Sequence, residues 1–449
     1  MSGFIVVGAQ GQGFIESGTD KRFVPFGANY FDPKSGWAPK IWSRYDHDLV
    51  ARQLGQMAEA GLNCIRVFLD FKTLAPAERQ YSEEGFRKVD DMVATAGRLG
   101  IRIIFSGPNT WEGRADYRTG DDYTELRQMD LLCDLWRQLG KRYGQNPTVM
   151  TWDLRNEPMV GFFSKESTSQ PYAPRLAAWQ KYAKERLHRE VADLVPIDGA
   201  GVDRELYREY VNFLEGLADK WVMHQTQALR ESGARQMISV GLIQWAVPIF
   251  LSPSLGYACF NPRRVEKYLD YMSIHFYPML LKPKEGIEQE LALQKAYLEI
   301  VCRGAYIPGK PLMMEEFGWK GGKAVPRDDR AWPQEHQSLW GDVLMDVTSR
   351  CCSGWLNWGY ADAADPNADI SAASGLWTED EQIKHWGKRF AEYARKFTAN
   401  PPKYQPAGKR WHLDRVDFLY DNHGAPKLQW LAERLTNDPA GSVEVVFSE

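Results

Sequence analysis

Between residues 23 and 360, short apolar runs of strand character alternate with longer stretches whose apolar residues recur at helical spacing. The strand-like runs fall at 23–30, 63–69, 101–107, 149–157, 236–242, 271–278, 312–316 and 354–360. The helical stretches between them carry stripes such as Val50, Leu54 and Met57, Phe86, Val89 and Val93, or Tyr207, Tyr210, Leu214 and Trp221. Strands separated by helices cannot pair as hairpins, so they must lie parallel. Eight such units predict an α/β chain closed into a (β/α)8 barrel.

Features outside the alternation predict three additions. Apolar runs flank Gly18-Thr19-Asp20-Lys21, which predicts an N-terminal β-hairpin closing the bottom of the barrel. Gly8, Gly11 and Gly13 nearby have the wrong order for a dinucleotide turn, and no helix start follows them. About 45 residues interrupt the rhythm after Pro158, partly helical near 176–192, and this insertion is expected over the catalytic rim. Between the fifth and sixth strands the chain is irregular. Residues 1–400 are expected to form the barrel, and 401–449 a small appendage of short strands at 417–420 and 443–447 on its flank.

Composition removes several partner classes. With 55 Lys and Arg against 59 Asp and Glu in 449 residues, the chain has no basic field for nucleic acid or an anionic membrane. No run of apolar residues is long enough to span a bilayer. The six cysteines show no CxxC pattern and sit in apolar stretches, as reduced buried thiols would. The opening residues lack a secretory leader, which predicts a cytoplasmic protein, or a secreted one if a leader has been removed. A neutral partner is left, and 17 tryptophans offer flat faces for sugar rings.

The chemistry is concentrated at strand ends. The fourth strand runs into Asn156-Glu157-Pro158, where proline ends regular pairing and leaves a carboxylate at the rim. The seventh ends in Glu315-Glu316-Phe317-Gly318. Because strand residues alternate between faces, only one acid of that adjacent pair is expected inside, and Glu316 is nearer the rim. By the same parity His275 and Tyr277 share one face of the sixth strand. Arg66 and Trp358 complete a set of polar or aromatic residues inside apolar strands; if Arg66 were structural, Asp70 is a candidate partner. Paired carboxylates on one face are the equipment for glycosidic bond cleavage.

Arg66, Asn156-Glu157-Pro158, His275-Phe276-Tyr277, Glu316-Phe317-Gly318 and Trp358, in this order on five strands, resemble the signature of glycoside hydrolase family 5, retaining barrel glycosidases. The resemblance implies that Glu157 is the acid/base, Glu316 the nucleophile and Asn156 the ligand of the sugar 2-hydroxyl. It implies that Arg66 and Tyr277 hold Glu316, that His275 lines the pocket, and that Trp358 floors the subsite of the cleaved sugar. Where many cellulases of the family carry histidine after the third strand, this chain has Asn109 and Trp111, closer to the β-mannanases and β-mannosidases. The expected substrate is therefore a β-manno-configured glycoside or oligosaccharide, attacked from chain ends if the insertion after the fourth strand walls off the cleft. β-Glucoside hydrolysis and a non-catalytic carbohydrate-binding barrel are the alternatives. Trp245, Trp319 and Trp377 are further candidate walls. No cofactor is implied. Asp362, Asp365 and Asp369 lack the full spacing of a calcium loop, so solvated acids or a substrate-facing loop are expected there. No histidine pair at metal-binding spacing accompanies the two glutamates.

Overall fold

The computed structural model describes residues 3–19, 21–109, 112–161, 171–196, 199–248, 256–278, 286–324, 332–365, 368–406, 408–420 and 443–448. The N-terminal strands are β1 (Ile5–Val7), β2 (Phe14–Glu16) and β3 (Lys21–Phe23), an antiparallel sheet in the order β1-β2-β3. The expected hairpin is therefore present with one more strand. Eight parallel strands follow: β4 (Phe26–Asn29), β5 (Cys64–Phe68), β6 (Arg102–Ser106), β7 (Val149–Asn156), β8 (Met237–Leu242), β9 (Met272–Phe276), β10 (Leu312–Phe317) and β11 (Cys352–Trp358). β11 pairs with both β10 and β4, so the sheet closes into the (β/α)8 barrel.

Helices His47–Glu59, Glu83–Arg98, Leu126–Tyr143, Arg204–Glu231, Gly286–Ala305, Gln334–Thr348 and His385–Ala399 surround the barrel. Asp46, Ser82 and Asp203 cap three of them by accepting from the backbone amides of Leu49, Gly85 and Leu206. The irregular stretch between β8 and β9 carries only one-turn helices among the described residues, Pro262–Val265 being one. The insertion after β7 contains the helix Tyr172–Tyr182, whose Trp179 packs against Tyr210 and Phe213.

Two apolar layers result from the pleat. Outward residues such as Trp152, Phe276 and Met314 meet the helices in the large outer core. Inside the lower barrel, Cys64, Ile104, Met150, Met237, Tyr271, Met313 and Leu356 pack with Ile5 and Phe14 of the N-terminal sheet. Arg102 fastens that sheet by donating to Gly3 O at 3.0 Å and Glu16 Oε1 at 3.2 Å. The bottom is thus plugged, and the open end is the one bearing the strand C-termini.

Beyond the barrel, β12 (Lys409–Asp414) pairs in parallel with β13 (Val443–Ser448). The run expected as a strand at 417–420 is instead the helix Arg415–Leu419 with Tyr420 after it, because Asp414 caps the amides of Val416 and Asp417. Arg208 reaches Asp414 at 3.1 Å, and Arg415 donates to Asn212 at 2.7 Å, docking this segment on the helix Arg204–Glu231.

Candidate active site

The seventh barrel strand does not follow simple alternation. Met313 belongs to the inner core and Met314 to the outer one, so Glu315 falls inside by parity. Its carboxylate accepts from Tyr271 at 2.9 Å and Ser273 at 2.6 Å. A register shift against β9 between Met314 and Glu316 then turns Glu316 inward as well. The expectation that only one of the pair faces the interior is therefore corrected: a β-bulge brings both in, one above the other. The fourth barrel strand has the same device, a register shift against β8 between Asp153 and Asn156. Asp153 and Asn156 both reach Arg66, while Arg155 points out to Asp122.

Arg66 is wholly buried and organises the floor of the site. Its Nη1 donates to Glu316 Oε2 at 2.9 Å and to Asn29 Oδ1 at 2.8 Å. Nη2 donates to Asp153 Oδ2 at 2.7 Å and to Asn156 Oδ1 at 2.8 Å. Asp153 is thus the partner for which the sequence offered Asp70; Asp70 instead caps a short helix through the Thr73 amide. Gly241 permits this crowding, since a Cβ there would stand 2.7 Å from Arg66 Nη2 and 2.9 Å from His275 Nε2.

Glu316 receives a second donor, the Tyr277 hydroxyl, at 2.6 Å. Glu157 directly follows β7 with a positive φ of 45°, its amide bonded to Gly241 O at 2.8 Å. His275 Nδ1 lies 3.1 Å from Glu157 Oε1 and 3.5 Å from Glu316 Oε2. An oxygen of each glutamate and the His275 nitrogen all fall within 4.8 Å of one another. Such a trio has the reach to hold a cation, but Arg66 and Tyr277 already engage the two oxygens of Glu316.

The two acids have different proton affinities. Burial and the charge of Glu316 push Glu157 well above the usual carboxylate range, against a smaller opposing pull from Arg66. Burial also raises Glu316, but Arg66 and the Tyr277 hydrogen bond stabilise its anion. Burial and Arg66 push His275 far down, so the ring is neutral. One acid is kept protonated beside one that ionises more readily.

Above them opens a pocket of about 390 Å³ lined by Asn109, Asn156, Glu157, Tyr277, Glu316 and Trp358, with Trp37, Phe68, Trp245 and residues of the loop after β11. Trp358 Nε1 donates to Ser371 Oγ at 2.7 Å, binding that loop to the floor. Trp377 lies instead against Tyr360, and Trp319 against Trp332, away from this lining. Trp111 lies outside the described residues. The insertion after β7 contributes none of the lining among its described residues; Ala368, Ile370 and Ser371 form a wall in its place. Asp362 is neither solvated nor free for calcium, since Lys384 Nζ donates to it at 2.9 Å and Gly375 N at 2.8 Å. Trp37 was legible as an aromatic in the loop after the first barrel strand, but nothing local marked Ser371 or Asp153.

The model of the cellulases, glycosyl hydrolase family 5, matches residues 35–363. The chain belongs to glycosyl hydrolase family 5. Among curated relatives of this family 5 chain, mannan endo-1,4-beta-mannosidase 7 of Oryza sativa subsp. japonica is 29% identical over 159 residues, 29% of this chain and 41% of the relative. The chain thus spans about two-fifths of that relative's length. An exo-beta-1,4-mannosidase from Opitutaceae bacterium strain TAV5 superimposes with a TM-score of 0.70 at 17% identity, covering 98% of this chain and 72% of that one. A GH5_18 protein from Bifidobacterium longum subsp. longum, in complex with Manβ1-4GlcNAc, gives 0.68 at 16% identity over 95% of this chain and 91% of that one. These two likenesses show a shared barrel. Among the described residues of the family 5 chain, no helix is long and apolar enough to cross a membrane.

Proposed function

We propose that this chain is a retaining β-glycosidase that removes β-linked mannosyl units from the ends of short glycosides by double displacement. The observation that carries the reading is the Glu157–Glu316 pair, with oxygens within 4.8 Å and unequal proton affinities. A retaining site needs its carboxyls about 5 to 5.5 Å apart, whereas an inverting site leaves room for a water between more distant acids. Glu316, its anion held by Arg66 and Tyr277, attacks the anomeric carbon while Glu157 gives its proton to the leaving oxygen. The sugar is then bound covalently to Glu316, and Glu157, now ionised, draws a proton from the incoming water. Asn156, fixed through its Oδ1 by Arg66, keeps its amide NH2 for the sugar 2-hydroxyl. Trp358 gives the ring a flat floor.

Manno-configuration is supported by the names of the curated relatives and by the disaccharide in the Bifidobacterium neighbour. Exo action is supported by the lining that Ala368, Ile370 and Ser371 of the loop after β11 add to the pocket. Digestion of mannopentaose tests it. Stepwise release of mannose from one end is expected, and a mixture of internal fragments with little monosaccharide overturns exo action. A panel of p-nitrophenyl β-glycosides separates mannosides from glucosides, the competing reading favoured by the cellulase description of the family.

A further inference from the structure

Far from the catalytic rim, where β11 begins at the bottom of the barrel, three cysteines converge. Cys302 sits near the end of the helix Gly286–Ala305, Cys352 begins β11 and Cys351 directly precedes it. Their three sulfurs all lie within 4.8 Å of one another, with Cys351 Sγ and Cys352 Sγ 4.0 Å apart. All three are free thiols and buried. Close packing alone gives no reason for three thiols from two elements to point at a common centre.

A metal held at about 2.3 Å from each of three sulfurs in a plane sets those sulfurs about 4 Å apart. The cluster therefore needs little movement to close on an ion. Zinc in structural sites takes four ligands, and no fourth His, Cys, Asp or Glu joins this group among the described residues. Thiolate ligands in low number favour a soft monovalent ion. The guanidiniums of Arg303 and Arg350 act on Cys351 and would offset part of the negative charge of three thiolates. A route exists as well. A cavity of about 250 Å³ on the underside, walled by Arg22, Tyr306, Lys310 and Tyr404, reaches Cys351.

We propose that Cys302, Cys351 and Cys352 form a trigonal thiolate site for copper(I) or an ion of equal softness. On binding, each thiol gives up its proton to solvent and each sulfur forms one bond to the metal, with no change of oxidation state. The bound ion clips the helix Gly286–Ala305 to the start of β11, the strand that bears Trp358 at its other end.

Competition under anaerobic conditions tests the site, with fully reduced protein and copper(I) supplied as its bicinchoninate complex. One copper per chain is expected to transfer to the protein. Cys302→Ser, Cys351→Ser and Cys352→Ser are each expected to weaken binding roughly tenfold or more, since even loss of an outer-shell partner costs that much. Cys133→Ser, far from the cluster, is expected to bind as the parent does. Copper that stays with the chelator, or leaves Cys133→Ser and the cluster variants equally, overturns the proposal. Should a cluster variant fail to fold, X-ray absorption on the parent protein decides. Three sulfur scatterers at about 2.3 Å sustain the site, and oxygen or nitrogen neighbours refute it.

Discussion

The indole nitrogen of Trp358 donates to Ser371 Oγ at 2.7 Å, so a side-chain hydrogen bond joins the floor of the pocket to one of its walls. Ser371→Ala leaves the buried indole N–H without that acceptor and loosens the wall against the floor, although the backbone bond from Ala363 N to Ser371 O stays. An unmade buried hydrogen bond costs roughly 1–3 kcal/mol. On the proposed reading the wall holds sugar rather than reacting with it, so KM for p-nitrophenyl β-mannoside should rise about tenfold while kcat changes little. Steady-state kinetics check this; an equal loss in kcat alone would place Ser371 in the chemistry instead.

The two glutamates should fail in different ways. Glu316→Ala removes the proposed nucleophile and should reduce kcat by several orders of magnitude for every substrate. Glu157→Ala should be as damaging for a mannoside with a poor leaving group. It should be much less so in the first step with a dinitrophenyl mannoside, whose leaving group needs no proton. Burst kinetics on the two substrates measure the difference.

The pH profile of kcat/KM should be bell-shaped, rising as Glu316 ionises and falling as Glu157 loses its proton. Tyr277→Phe deletes a hydrogen bond that stabilises the Glu316 anion, so its pKa rises and the acid limb moves to higher pH, by on the order of one unit. The alkaline limb should barely move. A shift of the acid limb to lower pH would contradict the assignment.

Glu315 offers a stability test independent of catalysis. Burial raises its pKa from 4.5 to about 7, with the charge of Asp153 adding to the effect. The folded protein therefore holds a proton that the unfolded chain releases above 4.5. Glu315 is thus accommodated best below that pH, and its contribution to stability is lost as pH rises from 4.5 toward about 7. Glu315→Gln should flatten that part of the curve in urea denaturation measured across the range.

Asp153 and Gly241 carry the support of the site. Asp153→Asn leaves the buried Arg66 with Glu316 as its paired carboxylate, and weakening a charged hydrogen bond of this kind costs about 1.5–3 kcal/mol. Gly241→Ala drives a methyl into Arg66 Nη2 and His275 Nε2, so its loss should appear in kcat more than in melting temperature. Denaturation and kinetics on the two variants separate the effects.

The alternation of apolar runs with helical stripes determined the barrel, because periods of two and 3.6 are written in local sequence and a parallel sheet follows from them. Strand-end placement of Glu157, Glu316, His275 and Tyr277 was legible for the same reason. Which way the side chains face was not wholly so. Parity would have sent Glu316 outward with Met314, and only the register between β9 and β10, a property of two strands together, turned it in. Asp153 was hidden because its partner Arg66 stands 87 positions away on another strand. Likewise the wall at Ser371 arises from a loop folded back across Trp358, a contact no local pattern encodes. Short-range periodicity fixes elements; distances between elements, set by closure of the barrel, fix the chemistry.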